Sequence, residues 1–334
     1  MQDTQDTAPA SELNRAIDLG YGWTKVATGN SEVKSFQSLP WRNPKVVHGA
    51  ASAKVMTVNY RDTLYGVSDE PETAAPRTAT RVRGDGYIDS ETYAVCMAAA
   101  VKMMRVPKLK RLVVGTPVGN YADARKALQA RFGSGISFDA THVPVERLQV
   151  VQQPIGGLAY HLHASGGSVP LAVPRLLIDV GYGTLDWVLA VGAKVNASVS
   201  GSSSNGVARF VDMLIERITG DSHGLGQDLM LVSAVDRMVT QGVPFRFRGE
   251  QQFREAHQAT IDALAAESFL EVLHRVGSLD MCESILLMGG GATLYQAAVT
   301  KAANGIPVEV VRDPHLANIR GFQLLADNGV LDRQ

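Results

Sequence analysis

Apolar positions along the chain fall into short buried runs broken by glycine, and one kind of break occurs twice. The segment from Ala16 reads A-I-D-L-G-Y-G-W-T-K-V-A, and the segment from Leu177 reads L-I-D-V-G-Y-G-T-L-D-W-V. In each, an apolar strand ends in Asp, turns through Gly-Tyr-Gly and resumes an apolar or β-branched run. That pattern predicts a β-hairpin with tip residues suited to positive φ. The distance from Ile17 to Ile178 is close to half the chain, as two lobes built from one duplicated unit require.

Between the copies, periodicity predicts a helix over Glu91–Met104, a buried strand over 111–114 and a second helix over Tyr121–Phe132. Residues 69–86 are rich in Pro, Thr, Ala and Arg without periodicity, which predicts a surface loop or small subdomain with solvated arginines. After the second copy, a helix is expected over 206–218, then the glycine-containing stretch TGDSHGLG and helical patterns over 227–275. A helical subdomain at about 207–280 follows from these patterns. A short buried strand, 285–288, runs into Gly289-Gly290-Gly291, with a helix predicted over 292–303.

Composition limits the function classes. The 334 residues are 45% hydrophobic and 19% charged, enough for two globular domains. Lys plus Arg total 32 against 33 acidic residues, so no global field draws the chain to nucleic acid or membrane. No direct nucleic-acid partner is expected, and a role on DNA needs an adaptor. Cys96 and Cys282 both sit in apolar stretches, as small buried hydrophobes of a reducing cytoplasm do. Residues 1–13 read as a disordered tail without a secretion signal. Each apolar run is interrupted before the roughly eighteen residues that a membrane helix needs.

Glycine at a hairpin tip lets backbone N–H groups approach phosphate oxygens. Gly20-Tyr21-Gly22 alone reads as an ordinary tight turn; two related tips favour an anion site. An Asp beside a phosphate implies an intervening cation, so Asp18 and Asp179 imply Mg²⁺ held through its waters, the alternative being that both cap their hairpins. Lys25, on the returning strand, can reach a phosphate as a point charge, although a lone lysine is more often solvated. The glycines at 289–291 remove side chains that would keep a flat ligand off the backbone, which suits adenine and ribose. His161 and His163 form an H-x-H pair on a predicted helix with no Cys or carboxylate nearby in sequence, and no metal is assigned to them. Lys102, Arg105, Lys108, Lys110 and Arg111 cluster where a helix ends and read as solvated.

IDLGYGWTK resembles the first phosphate motif of the actin, Hsp70 and sugar kinase superfamily, LLIDVGYGTLD its second and LLMGGGATL its adenosine motif. Within that superfamily the chain is most similar to bacterial plasmid-partition actins of the ParM or StbA type, including those of PRTRC plasmid gene clusters. RLVVGTPVGNY, the SSSNG loop and DPHLANIRGFQLL extend the likeness over most of the chain. The resemblance implies an actin-like two-lobed α/β fold, each lobe a mixed sheet with flanking helices in a duplicated ribonuclease H-like unit. The lobes would span 14–165 plus 313–334, and 166–312, with the nucleotide in the cleft between them.

The same resemblance implies ATP, with GTP as the alternative, and Mg²⁺ near Asp18 and Asp179. Gly20, Tyr21, Gly22, Lys25, Gly181, Tyr182, Gly183 and Thr184 would surround the phosphates, and Asn205, Gly206, Gly289, Gly290 and Gly291 would complete the nucleotide site. The first connect motif, VVQQPIGGLAY, places Gln153 where ParM-like proteins carry Glu, with Gln152 competing for the role. A glutamine orients water without abstracting its proton, so slow turnover is expected. By resemblance, the protein is a cytoplasmic ATPase that associates head-to-tail into filaments for plasmid DNA segregation, working with a DNA-binding adaptor. The alternatives are a small-molecule kinase, for which no sugar-kinase-like motif supplies a catalytic Asp, and a non-hydrolysing scaffold, which the intact Asp18, Lys25 and Asp179 argue against.

Overall fold

The structure, a computed structural model, describes residues 13–29, 32–45, 54–84, 86–166, 170, 172–192, 194–220 and 228–329. The expected tail, up to residue 12, and residues 221–227 of the glycine-containing stretch lie outside the described residues.

β1 (Asn14–Leu19) is buried along its whole length, turns into β2 (Trp23–Gly29) and continues as an antiparallel meander into β3 (Glu32–Gln37). A small sheet follows, in which β4 (Trp41–Arg42) and β5 (Met56–Tyr60) flank β6 (Thr63–Val67). Ser90 caps α1 (Glu91–Met104) by accepting from the backbone N–H of Tyr93, and Arg105 ends it in the left-handed region. β7 (Arg111–Thr116) pairs parallel to β1. After α2 (Tyr121–Phe132) and the hairpin of β8 (Gly135–Phe138) and β9 (Thr141–Pro144), β10 (Leu148–Gln152) joins β7 in parallel. The sheet order is β10-β7-β1-β2-β3, and α3 (Gln153–Ala164) leaves directly from β10 with Pro154 in its first turn.

The second half repeats the plan. β11 (Pro174–Val180) and β12 (Leu185–Val191) form the second hairpin, with β13 (Lys194–Val195) and β14 (Gly201–Ser203) both pairing to β12. Val207, Phe210, Val211, Leu214 and Ile215 recur at helical spacing and bury one face of α4 (Val207–Thr219). α5 (Leu229–Gln241) packs beside it and stops at Gly242, which is left-handed.

Here the expected helical run over 227–275 is interrupted. Phe-Arg-Phe alternation forms β15 (Phe245–Phe247), and Arg248 and Gly249, both at positive φ, turn the chain into β16 (Glu250–Gln252). Helix resumes as α6 (Gln258–Val276). β17 (Ser284–Met288), α7 (Ala292–Ala302) and β18 (Val308–Val310) complete the second sheet in the order β18-β17-β11-β12-β13, with β17 and β18 parallel to β11 as β7 and β10 are to β1. The duplication read from the two glycine hairpins is therefore a duplication of topology.

α8 (Ala317–Asn328) returns to the first sheet, against β1 and β7, and crosses α3. The crossing has no room for side chains: a Cβ on Gly321 would lie 1.7 Å from the Gly156 carbonyl oxygen. Phe322 fills the space left open by Gly115 and Gly156. Among the described residues, no helix is long and apolar enough to cross a membrane.

Candidate functional site

The two hairpin tips close in the same way, Gly20 N–H donating to the Trp23 carbonyl at 3.1 Å and Gly181 N–H to the Thr184 carbonyl at 2.9 Å. They also face each other. A Cβ on Gly22 would come within 2.6 Å of Tyr182, and one on Gly183 within 2.5 Å of Tyr21, so each tip's tyrosine covers the other tip's glycine. The expectation of positive φ at these tips does not hold, because none of the tip residues is among the left-handed positions. Glycine is required there for close approach.

A cleft of about 1110 Å³ opens between the hairpins. Asp18, Gly20, Tyr21, Gly22, Lys25, Gln153, Asp179, Gly181, Tyr182, Gly183, Thr184, Gly289 and Gly290 all line it. At its centre Asp18 accepts from Lys25 Nζ at 2.8 Å and from Gln153 Nε2 at 2.8 Å. Gln153 reaches inward from the first position of α3, whereas Gln152 pairs with Thr116 at the strand end, so the two glutamines are separated by geometry.

In the second repeat, Asp179 accepts from Asn318 Nδ2 at 2.6 Å. Burial pushes its carboxyl up to about 7, helped by the negative charges of Asp186 and Asp18. Asp186 is buried too, and burial raises its pKa although it accepts from the Val118 N–H at 2.7 Å, from Thr184 Oγ1 at 2.6 Å and from the Ser202 hydroxyl. Two facing carboxylates in a dry wall make a site that gains from a cation.

Asn205, Gly206 and Gly291 lie beneath the second hairpin, off the cleft wall. The Asn205 amide bonds Glu271 at 2.8 Å and Arg209 at 2.6 Å, and its carbonyl accepts from the Tyr295 hydroxyl at 2.6 Å. A Cβ on Gly206 would meet the Tyr182 carbonyl oxygen at 2.5 Å, and the start of α4 is tied there by Val207 N–H to Gly181 (3.0 Å) and Ala208 N–H to Tyr182 (2.8 Å). The glycines at 289–291 also divide. A Cβ on Gly289 would strike Asp179 Oδ1 at 2.3 Å and one on Gly291 would strike Val180 at 2.5 Å, while Gly290 has open space. Only Gly290 serves the flat-ligand reading; the other two let the turn pack on β11.

Several cleft residues were not singled out from sequence. Asn318 lies within DPHLANIRGFQLL, and Asp186, buried behind the cleft wall, within LLIDVGYGTLD, but their partners are set by the return of α8 and by strand register. Ser233, Asp236, Arg237 and Thr240 form a polar stripe on α5 along the cleft, at a helical spacing that the sequence does display. Burial pushes Asp236 up to about 6.

The arginines of 69–86, expected to be solvated, reach the second lobe. Arg77 pairs with Asp228, Arg83 with Asp212 at 3.0 Å, and Arg81 lies 4.8 Å over the Tyr182 ring. In the basic cluster after α1, Lys102 pairs with Asp139 and Lys108 with Glu146. His161 finds Glu309 at 3.4 Å, a carboxylate far away in sequence.

The lining fits a polar, anionic ligand with a cation. Thr116 Oγ1, Asn318 Oδ1 and Ser233 Oγ are buried on the cleft wall with no partner among the described residues, and such groups call for ligand or water. Lys25 supplies positive charge, and Asp18 and Asp179 supply carboxyl groups. Among the described residues, no three His, Cys, Asp or Glu side chains converge as a direct cage.

Two topologically repeated sheets, facing glycine hairpins and a cleft between them define an actin-like two-lobed α/β fold. Residues 16–156 match the family model for the N-terminal domain of actin-like proteins, and residues 177–301 match that for the C-terminal part of archaeal MreB-like actin homologues. Each half of the chain therefore matches a domain model of actin-like proteins.

The structure is similar to that of the archaeal actin homologue Ta0583, with a TM-score of 0.76 at 21% identity over 95% of this chain and 99% of that one. Ta0583 in complex with ADP gives 0.73 at 21% identity, covering 94% and 99% of the two chains. The subunit of a 15-stranded ParM filament from Clostridium botulinum gives 0.71 at 17% identity, covering 94% and 99%. At these identities the likeness shows the fold. No curated protein matches the sequence.

Proposed function

We propose that this protein binds and hydrolyses ATP with Mg²⁺ between its lobes and assembles head-to-tail into nucleotide-dependent filaments that serve plasmid DNA segregation. GTP is the alternative nucleotide. The observation that carries the reading is the 2.8 Å bond from Gln153 to Asp18, which holds a water-orienting amide at the centre of the cleft between the two hairpins.

In this reading the lobes span 14–165 plus 313–334, and 166–312, with the helical subdomain at about 207–280. Backbone N–H groups at Tyr21 and Gly22 and at Tyr182, Gly183 and Thr184 cradle the phosphates, the Gly20 and Gly181 N–H groups close the two turns behind them, and Lys25 adds a point charge. Asp18 and Asp179 hold Mg²⁺ through its waters; the bound ion neutralises charge on the phosphate oxygens. Gln153 orients the attacking water, and because an amide takes up no proton, turnover is slow. Gly290 leaves room for the nucleoside, while Asn205, Gly206, Gly289 and Gly291 fix the second hairpin and the turn beside it.

The ADP complex of Ta0583 and the ParM filament support nucleotide binding and self-association in proteins of this fold. A DNA-binding adaptor would connect the filament to its cargo, in the cytoplasm, since the near-zero net charge gives the chain no general attraction to DNA. The test is high-speed sedimentation with Mg²⁺ and ATP, with ADP and no nucleotide as controls, while phosphate release is recorded. Pelleting confined to the ATP sample, with release, is the expected result. Hydrolysis without pelleting removes the filament from the proposal, and absence of hydrolysis removes the ATPase.

A further inference from the structure

Residues 69–84 connect β6 to α1, yet much of what they bind lies in the other lobe. On their own side the segment is anchored through Gln37 at the end of β3. The Gln37 backbone N–H donates to the Ser68 carbonyl at 2.9 Å, its Nε2 to the Asp69 carbonyl at 3.0 Å, and its Oε1 accepts from Arg81. On the far side four contacts cross the cleft. Arg77 pairs with Asp228, Glu72 pairs with Arg237 at 3.2 Å, Arg83 pairs with Asp212 at 3.0 Å, and Arg81 covers the Tyr182 ring. The Arg77 carbonyl also accepts the N–H of Leu229 at 2.8 Å, one of the donors that a helix start leaves without an internal partner. The strap thus caps α5, grips α4 and lies over the second hairpin tip.

We propose that residues 69–84 form an electrostatic latch that holds the lobes closed and sets the rate of nucleotide exchange. The exchange part rests on the nucleotide-binding reading above. Three of the four crossing side-chain contacts are ion pairs, and the outer ones are exposed: the Arg77 side chain is 69% accessible and that of Arg83 41%. Exposed pairs are individually weak and are screened by salt, so they open and re-form without exposing apolar surface. An apolar seam in the same place would leave a sticky patch each time the cleft opened. Arg237 and Glu72 line the cleft, but Arg77 and Arg83 and their partners do not, so these two pairs can be altered without altering the cleft wall.

The experiment compares the full-length protein with an Arg77→Gln, Arg83→Gln variant, both exposed positions. Lobe separation is read without nucleotide by small-angle X-ray scattering, and release of a fluorescent ATP analogue is timed by stopped flow, each from about 0.05 to about 0.5 M NaCl. The latch requires the variant at low salt to match the wild type at high salt, with a larger radius of gyration and release about tenfold faster. Exchanging the pair, Arg83→Asp with Asp212→Arg, restores slow release relative to either single change. A variant with wild-type lobe separation at low salt overturns the latch. Failure of every form to bind the analogue removes the nucleotide reading, and the scattering then decides the latch alone.

Discussion

Lys25 and Asp186 occupy equivalent places in the two repeats: Lys25 faces Asp18 across β1 and β2, and Asp186 faces Asp179 across β11 and β12. One repeat neutralises its strand-end carboxylate with an ammonium at 2.8 Å; the other sets a second carboxylate against it. The duplicated framework therefore carries an uneven charge, and the deficit lies on the second hairpin.

That imbalance makes stability depend on pH. The folded pKa of Asp179, about 7, lies above its ordinary 3.8, so the folded state holds this proton more tightly and the contribution is complete below about pH 4. It is lost as pH rises to about 7. Asp179→Asn removes the dependence: the two proteins are expected to be equally stable at pH 4, with the variant ahead by roughly 1–3 kcal/mol at pH 8 without nucleotide. Urea melts across that range read the difference. Mg²⁺ and ATP should stabilise the wild type and leave the variant unmoved.

Gln153→Ala is expected to slow phosphate release by about tenfold to a hundredfold, since it removes the only group assigned to orient the water. Gln153→Glu supplies a base and is expected to raise release by about tenfold, although it sets a second carboxylate beside Asp18. Equal release rates in wild type and the Glu variant would contradict the assignment. Gln152→Ala should leave release near the wild-type rate.

Substitution at the hairpin contact should separate binding from folding. Gly183→Val drives a side chain into Tyr21, so the lobes are held apart while each keeps its own core. Affinity for a fluorescent ATP analogue is expected to fall at least about tenfold with the far-ultraviolet circular dichroism unchanged. Loss of the dichroism signal would mean that the contact supports folding itself.

Gly321→Ala meets backbone with no flexible atom to move aside, and a cost of about 3 kcal/mol or more is expected in urea denaturation.

Much of the frame was legible because its signals are local. Each hairpin is a contiguous apolar run, an Asp and a glycine turn, and α1 and α2 fall on the residues that periodicity indicates. Gln153 could be preferred to Gln152 because Pro154 follows it, and a proline in the first turn marks where a helix starts. What could not be read depends on partners distant in the chain. Arg77 looks like any loop arginine until the start of α5 is brought beside it, and Asp186 looks like a strand residue until register sets it opposite Asp179. The β15 and β16 hairpin was missed because strands this short disappear inside the helical patterns on either side.

The crossing of α3 and α8 at Gly156 and Gly321 acts as a fulcrum without play. With backbone resting on backbone, the two arms can pivot about the point of contact but cannot slide along each other, because any shift carries a larger residue into the gap. α3 also packs on β11, β12 and β17 of the second sheet while α8 packs on β1, β2 and β7 of the first, so any change in the angle between the two sheets has to be taken up at this one crossing.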